Sequence, residues 1–236
     1  MPPVLGMTGA EAVAEVQQGL GWRSYRATEI LRALNWAQDL RELGAGTLPW
    51  FLTEYDHVVT VTSATVLYAL PDSFLQETEE RDGNLRYQSS SSSRTWFLKK
   101  MDEMSANRYF FGDWQNNFDM DTTQATQSLS PGVPRAYVLR ETSIKVFPIP
   151  DTDYNLLWNF FKADEDIVNA AATNKWLTHC PWLIVGGAGA KLAADILNAG
   201  AVKTFASLRM EGEAALLKKH VQREIAARPL SMGSRN

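Results

Sequence analysis

The stretch that most constrains this chain runs from Pro134 to Phe161, PRAYVLRETSIKVFPIPDTDYNLLWNFF. Residues 135–139 are rich in side chains that suit a pleated surface, and Glu141, Thr142 and Ser143 supply a polar reversal before a second apolar run at 144–149. That pattern predicts a hairpin. Pro148 and Pro150 cannot donate to a ladder, so the second strand must weaken or lie at an edge there, and Asp151, Thr152 and Asp153 make the next turn. A third strand follows at 154–161. Its alternate positions Leu156, Trp158 and Phe160 point one way and Leu157, Asn159 and Phe161 the other, which predicts a strand covered on both faces.

The flanks read as helices. Thr8 and Glu11 have the spacing of a capping box, which predicts a helix to about residue 18, broken by Gly19 and Gly21. Ser24 is placed to cap a second helix with Ile30, Leu31, Leu34 and Ala37 on its apolar side, ended by Gly44 and Gly46. Residues 58–62 and 64–70 are dense in β-branched side chains, and Pro71 and Asp72 turn the chain. Beyond them, 85–87 reads as a short strand, the five serines at 89–93 as a flexible loop, and 95–104 as a short helix because Phe97, Met101 and Met104 recur at helical spacing. The polar run 116–133 predicts a long loop, in an assembly protein a candidate contact arm. After the strands, Asp164, Glu165 and Asp166 suit a helix start, and Pro181 suits the first turn of another helix that runs to about residue 197. A last helix, 201–227, carries an apolar stripe of Val202, Ala206, Met210, Ala214, Leu217, Val221 and Ile225 and is stopped by Pro229.

Three separated motifs, in this order, resemble the head-to-tail adaptor proteins of tailed bacteriophages. The first is Trp50 followed by a strand ending Tyr68-Ala69-Leu70-Pro71-Asp72-Ser73-Phe74, a Y-x-L-P-x-x-F pattern. The second is Pro134-Arg135-Ala136-Tyr137, a turn, and an apolar strand closing on Pro148-Ile149-Pro150. The third is Trp176-Leu177 with Pro181 and Leu183, a W-L-x-x-x-P-x-L lead-in to a helix of small residues. The resemblance covers roughly residues 50–227. The two N-terminal helices are compatible with it and the serine-rich middle is unmatched.

What the residues and the resemblance jointly predict is an α+β chain: a helical bundle from both chain ends with an inserted antiparallel β-rich domain. The expected segments are 1–52 for the N-terminal helices, 53–163 for the β-rich insertion with its long loops, and 164–236 for the C-terminal helices and an extended tail. The resemblance implies a structural virion protein, not an enzyme, that assembles in the host cytoplasm as a dodecameric ring between portal and tail. Its partners would be its own copies, the portal protein, tail nozzle or tail fibre proteins, and double-stranded DNA passing through the lumen without specific binding. The tail around Arg228, Pro229, Leu230 and Arg235 would dock on the portal. Another tail-completion protein with similar strands is the neighbouring alternative.

Composition bears on these expectations. A net charge of −4 and a pI near 5.5 argue against affinity through neutralisation of many phosphates. The single cysteine, Cys180, excludes an intrachain disulfide framework and a multi-cysteine zinc site. The sequence starts without a basic, apolar leader and has no run approaching the ~18 apolar residues of a membrane span, so a soluble protein with no membrane partner is expected.

The most tempting chemical motif is Leu183-Ile184-Val185-Gly186-Gly187-Ala188-Gly189-Ala190-Lys191, which reads like a strand running into a dinucleotide loop. Taking Gly187 and Gly189 as the first pair puts Leu192 where a small residue is required, and Lys191 is followed by leucine rather than the Ser or Thr of a phosphate loop. A nucleotide-binding, oxidoreductase-like domain around Gly186–Gly189 is therefore the alternative. The preferred reading is a helix whose Gly186, Gly187, Gly189 and Ala193 let a neighbouring helix approach closely, with no cofactor. His57, His179 and His220 lack second ligands at metal spacing, Cys180 has only His179 beside it, and Asp119 and Asp121 lack the glycine and distal glutamate of a calcium loop.

Overall fold

A computed structural model describes residues 6–21, 27–44, 48–78, 84–88, 95–111 and 131–227. Helices at both ends flank a central β-rich region, so the fold is α+β. The chain divides into two compact units, one of Met1–Leu52 with Ala163–Asn236 and one of Thr53–Lys162.

In the first unit, α1 (Gly9–Gly19) starts at the expected capping box. The Thr8 N–H donates to Glu11 Oε2 at 2.7 Å, and the Glu11 N–H donates to Thr8 Oγ1 at 3.3 Å. The helix ends at Gly19, and Gly21 takes a φ of +74° that suits glycine. Helix α2 (Ala27–Glu42) buries Ile30, Ala33, Leu34 and Ala37. Its anticipated cap, Ser24, lies outside the described residues. A 3-10 turn, Trp50–Leu52, follows. From the other chain end come α4 (Lys175–His179), α5 (Pro181–Asp195) and α6 (Ala199–Ala227), with Pro181 in the first turn of α5. Helix α5 is apolar nearly all round and packs against α1, α2 and α6. It is the axis of this unit.

Two expectations fail here. Asp164, Glu165 and Asp166 belong to no helix, since the next one begins at Lys175. The Asp164 carboxylate nevertheless reaches that helix start and accepts the Trp176 backbone N–H at 3.2 Å. The second concerns the stripe on α6, whose Met210, Ala214, Leu217 and Val221 face outward. The helix buries Ala201 and Phe205 instead, with Gly212 against Leu183 of α5, while Met210, Leu217 and Val221 stay exposed.

Among the described residues the second unit has two sheets sharing one core. The first has strand order β1 (Thr53–Val61), β9 (Tyr154–Lys162), β4 (Leu85–Gln88), β5 (Thr95–Phe97), with β3 (Phe74–Glu77) also paired to β9. The second has the order β2 (Leu67–Ala69), β8 (Ser143–Phe147), β7 (Ala136–Leu139), β6 (Lys99–Lys100). All these pairings are antiparallel except that of β6 with β7. The hairpin of β7 and β8 is the one expected from the sequence, and β8 stops before Pro148. Trp158, Phe160, Leu156 and Leu85 from one sheet meet Tyr137, Ile144 and Val146 from the other.

Helix α3 (Glu103–Phe111) covers the far side of the second sheet, where Phe110 stacks on Phe147 with ring centroids 5.3 Å apart. The helix expected at 95–104 is not formed. Phe97 pairs with Arg86 and Trp96 stacks on Tyr87, so cross-strand partners outweigh the helical spacing of Phe97, Met101 and Met104. The helix begins only after Asp102, whose carboxylate accepts the Ser105 N–H at 2.8 Å. Strand β9 buries Leu156, Trp158 and Phe160 on one face, and on the other Asn159 is buried and Leu157 and Phe161 are partly buried. The serine run at 89–93 and most of the predicted 116–133 loop lie outside the described residues.

Candidate functional site

The glycine-rich run that could have held a nucleotide lies in the interior of α5, with neighbouring helices against it. A Cβ at Gly186 would stand 2.6 Å from the backbone nitrogen of Arg209 and 2.8 Å from the Phe205 carbonyl oxygen. The Phe205 ring occupies the space a side chain at Gly189 would need, and the Ala37 methyl lies 3.0 Å from a Cβ placed at Gly187. On α6, a Cβ at Gly212 would come within 2.6 Å of the Leu183 nitrogen, and Ala193 is fully buried. Backbone and side chains of α2 and α6 thus stand where a pyrophosphate would have to lie, and the run does not open a helix as a phosphate loop must. The glycines permit close helix packing.

Beside this seam is a buried polar network. The Trp176 indole N–H donates to Glu42 Oε1 at 2.6 Å, and the Asp164 N–H donates to the same oxygen at 3.2 Å. Gln38 donates to the Asp164 carbonyl at 3.1 Å and accepts from Asn174 at 2.7 Å, while the Asn174 side chain caps α4 through the Leu177 N–H. Burial holds the Glu42 carboxyl above the ordinary carboxylate range, although the hydrogen bonds from Trp176 and Asp164 oppose that shift. These groups satisfy one another and join segments distant in sequence.

His57 and His179 sit against aromatic side chains, and Cys180 is buried. His179 stacks on Phe51 at 4.9 Å and lies 5.0 Å from Trp50; burial, then the nearby Lys219 and Arg223, lower its pKa. His57 lies edge-on to Phe160. The Cys180 thiol is buried and its pKa pushed up to about 11, which disfavours the thiolate a nucleophile needs. Among the described residues no three His, Cys, Asp or Glu side chains gather as metal ligands, and no helix is long and apolar enough to cross a membrane. In the β unit the buried Glu77 carboxylate accepts from the Tyr137 hydroxyl at 2.7 Å and from the Trp158 indole at 3.1 Å, with Lys100 as its ion-pair partner.

Outward-facing apolar side chains are the other distinctive feature. Besides Met210, Leu217 and Val221 on α6, the helical unit exposes Trp36 and Leu40 on α2 and Leu43 just past its end. The sequence reading missed the α2 set because the adjacent Leu34 and Ala37 already account for one amphipathic face. The spacing of 36, 40 and 43 was the available signal of a second face. Arg228, Pro229, Leu230 and Arg235, the anticipated docking tail, lie outside the described residues.

No curated protein matches the chain. A family model described as SU10 adaptor protein, however, matches residues 7–233, which takes in both the helical unit and the β unit. A match that spans nearly the whole chain, on an α+β framework with helices from both ends, establishes what the three sequence motifs indicated: this chain belongs to the SU10 adaptor protein family, a family of phage adaptor proteins.

Proposed function

We propose that this protein is a head-to-tail adaptor whose copies form a ring, a dodecamer by family resemblance, between portal and tail. Membership in a phage adaptor family makes it a virion component that meets other head or tail proteins. The finer role is our reading: the ring retains packaged DNA, passes it on ejection, and gives tail nozzle or tail fibre proteins their attachment surface. We take 1–52, 53–163 and 164–236 as the N-terminal helices, the β-rich insertion and the C-terminal helices with the docking tail. The protein acts as a scaffold rather than an enzyme and needs no cofactor.

The observation that carries this reading is the match to the adaptor family across residues 7–233. Charge supports the role toward DNA: a subunit of net charge −4, repeated around a lumen, repels phosphates instead of gripping them. The tail containing Arg228, Pro229, Leu230 and Arg235 docks on the portal. The test is the solution mass of the full chain alone and mixed with the portal of the same virion. The expected result is a portal-bound ring, lost when residues 230–236 are deleted. A chain that stays monomeric in the presence of that portal overturns the ring; a truncated chain that still binds overturns the tail's role.

A further inference from the structure

Helices α2 and α6 each bury one face against α5 and turn a second apolar stripe to the outside. On α2, Leu40 is 48% exposed, in line with Trp36, and Leu43, just past the helix end with its N–H still bonded to the Asp39 carbonyl at 2.8 Å, is 78% exposed. On α6, Met210 is 69% and Leu217 64% exposed, in line with Val221 and with the small, exposed Ala214. Side chains at these steps of three and four lie along one side of a helix, and a large apolar surface of this kind marks a contact rather than a solvated face. In such a contact one partner contributes the α2 stripe and the other the α6 stripe, so together they form the apolar centre of an interface whose standard total is roughly 1,600 Å².

The rims of the two stripes are complementary in charge. Arg32 and Asp39 flank the α2 stripe, seven residues apart, and Glu211 and Lys218 flank the α6 stripe, also seven residues apart. All four are exposed, and among the described residues none makes an ion pair. Seven residues are about two turns, roughly 10.5 Å of helix. Setting the helices parallel therefore brings Arg32 level with Glu211 and Asp39 level with Lys218 at once, and puts the bulky Trp36 within one residue, about 1.5 Å of rise, of the small Ala214. An antiparallel setting puts like charges opposite each other. Two unlike, mutually complementary surfaces on one subunit are what a head-to-tail contact requires, and such contacts close into rings when the rotation permits.

We propose that the outer stripe of α2 in one copy packs parallel on the outer stripe of α6 in the next copy, and that this contact builds the ring. The inference rests on the ring reading above. Two blocked proteins test it: Leu40→Glu with Leu43→Glu at the C-terminal end of α2, and Met210→Glu with Leu217→Glu on α6. Every substituted side chain is largely exposed, and unchanged helical circular dichroism checks that both variants fold. The masses of the full-length proteins are measured by sedimentation, with and without portal. The expected result is that wild type assembles, that each blocked variant stays monomeric, and that an equimolar mixture of the two gives a two-chain species and nothing larger. Each variant keeps one intact surface, so only a head-to-tail pairing produces that species. A charge test adds a second arm: Asp39→Lys weakens assembly at least tenfold, and Lys218→Glu in the same chain restores it. Variants that assemble like wild type, or a mixture that stays monomeric, overturn this contact and leave the ring reading standing. A wild type that never self-associates on its portal overturns both.

Discussion

The Trp176 indole donates to the Glu42 carboxylate across 2.6 Å, joining residues at opposite ends of the sequence inside one helical unit. Glu42 closes α2 and Trp176 sits in α4, so the bond fixes how the N-terminal helices meet the C-terminal ones. Burial raises the Glu42 pKa in the folded protein above its unfolded value. The folded state then holds that proton more tightly than the unfolded state does. Its contribution to stability is full below the unfolded pKa and is lost as pH rises through the folded one.

From this we expect Glu42→Gln to flatten part of the pH dependence of stability. Glutamine keeps an acceptor for the indole and carries no charge. The difference in unfolding free energy between variant and wild type should move in favour of the variant from about pH 4 toward neutral. Urea unfolding at several pH values measures it; a difference that does not change with pH contradicts the assignment.

Gly186→Ala should destabilise the helical unit. Alanine favours a helix over glycine by about 1 kcal/mol, but here the methyl meets the backbone of Arg209 and Phe205, which cannot swing aside as a side chain can. Overpacking typically costs about 1–3 kcal/mol, so the net expectation is a loss of up to about 2 kcal/mol. Gly200→Ala is the control. Its nearest neighbour is 3.5 Å away, and the substitution should be neutral or stabilising by denaturant midpoint.

Glu77→Ala should weaken the β unit by about 1–3 kcal/mol for each donor it strands, the Tyr137 hydroxyl and the Trp158 indole. Glu77→Gln retains an acceptor and should cost clearly less. Tyr137 has its phenol held well above the usual range by burial and by the adjacent Glu77 carboxylate, so it stays a donor at all working pH values. Equilibrium unfolding followed by tryptophan fluorescence compares the two variants. Equal losses would show that charge rather than acceptance matters at this site.

Cys180 should resist thiol reagents in the native protein. It is buried with its pKa pushed up to about 11, so both access and thiolate fraction are low. Ellman's reagent should react slowly at pH 7 and fast once urea unfolds the chain. Rapid native labelling would contradict the burial.

Local signals were legible in the sequence, and tertiary ones were not. The capping box at Thr8 and Glu11, Pro181 at the start of α5 and the turn between β7 and β8 are each decided by residues a few positions apart. Phe97 was misread because its partner, Arg86, lies across a strand pair, and periodicity carries no information about pairing. The apolar stripe on α6 correctly marked a helix, yet the face that packs inside the unit is defined by Phe205 and by the absence of side chains at Gly186, Gly189 and Gly212. A missing side chain leaves no hydrophobic signal, so hydropathy pointed to the opposite side. The glycine run was legible as chemistry or as packing; only the atoms standing against Gly186 and Gly189 decide between them.

The pairing of Thr53 with Phe161 places the first and nearly the last residue of the β unit on adjacent strands, about 5 Å apart. A segment whose two ends are neighbours behaves as a cassette. Lengthening its loops, or exchanging it for a different fold with similarly close ends, leaves the spacing of the flanking residues unchanged. Descendants of one helical framework can therefore diverge in the β unit while the framework keeps its own sequence constraints.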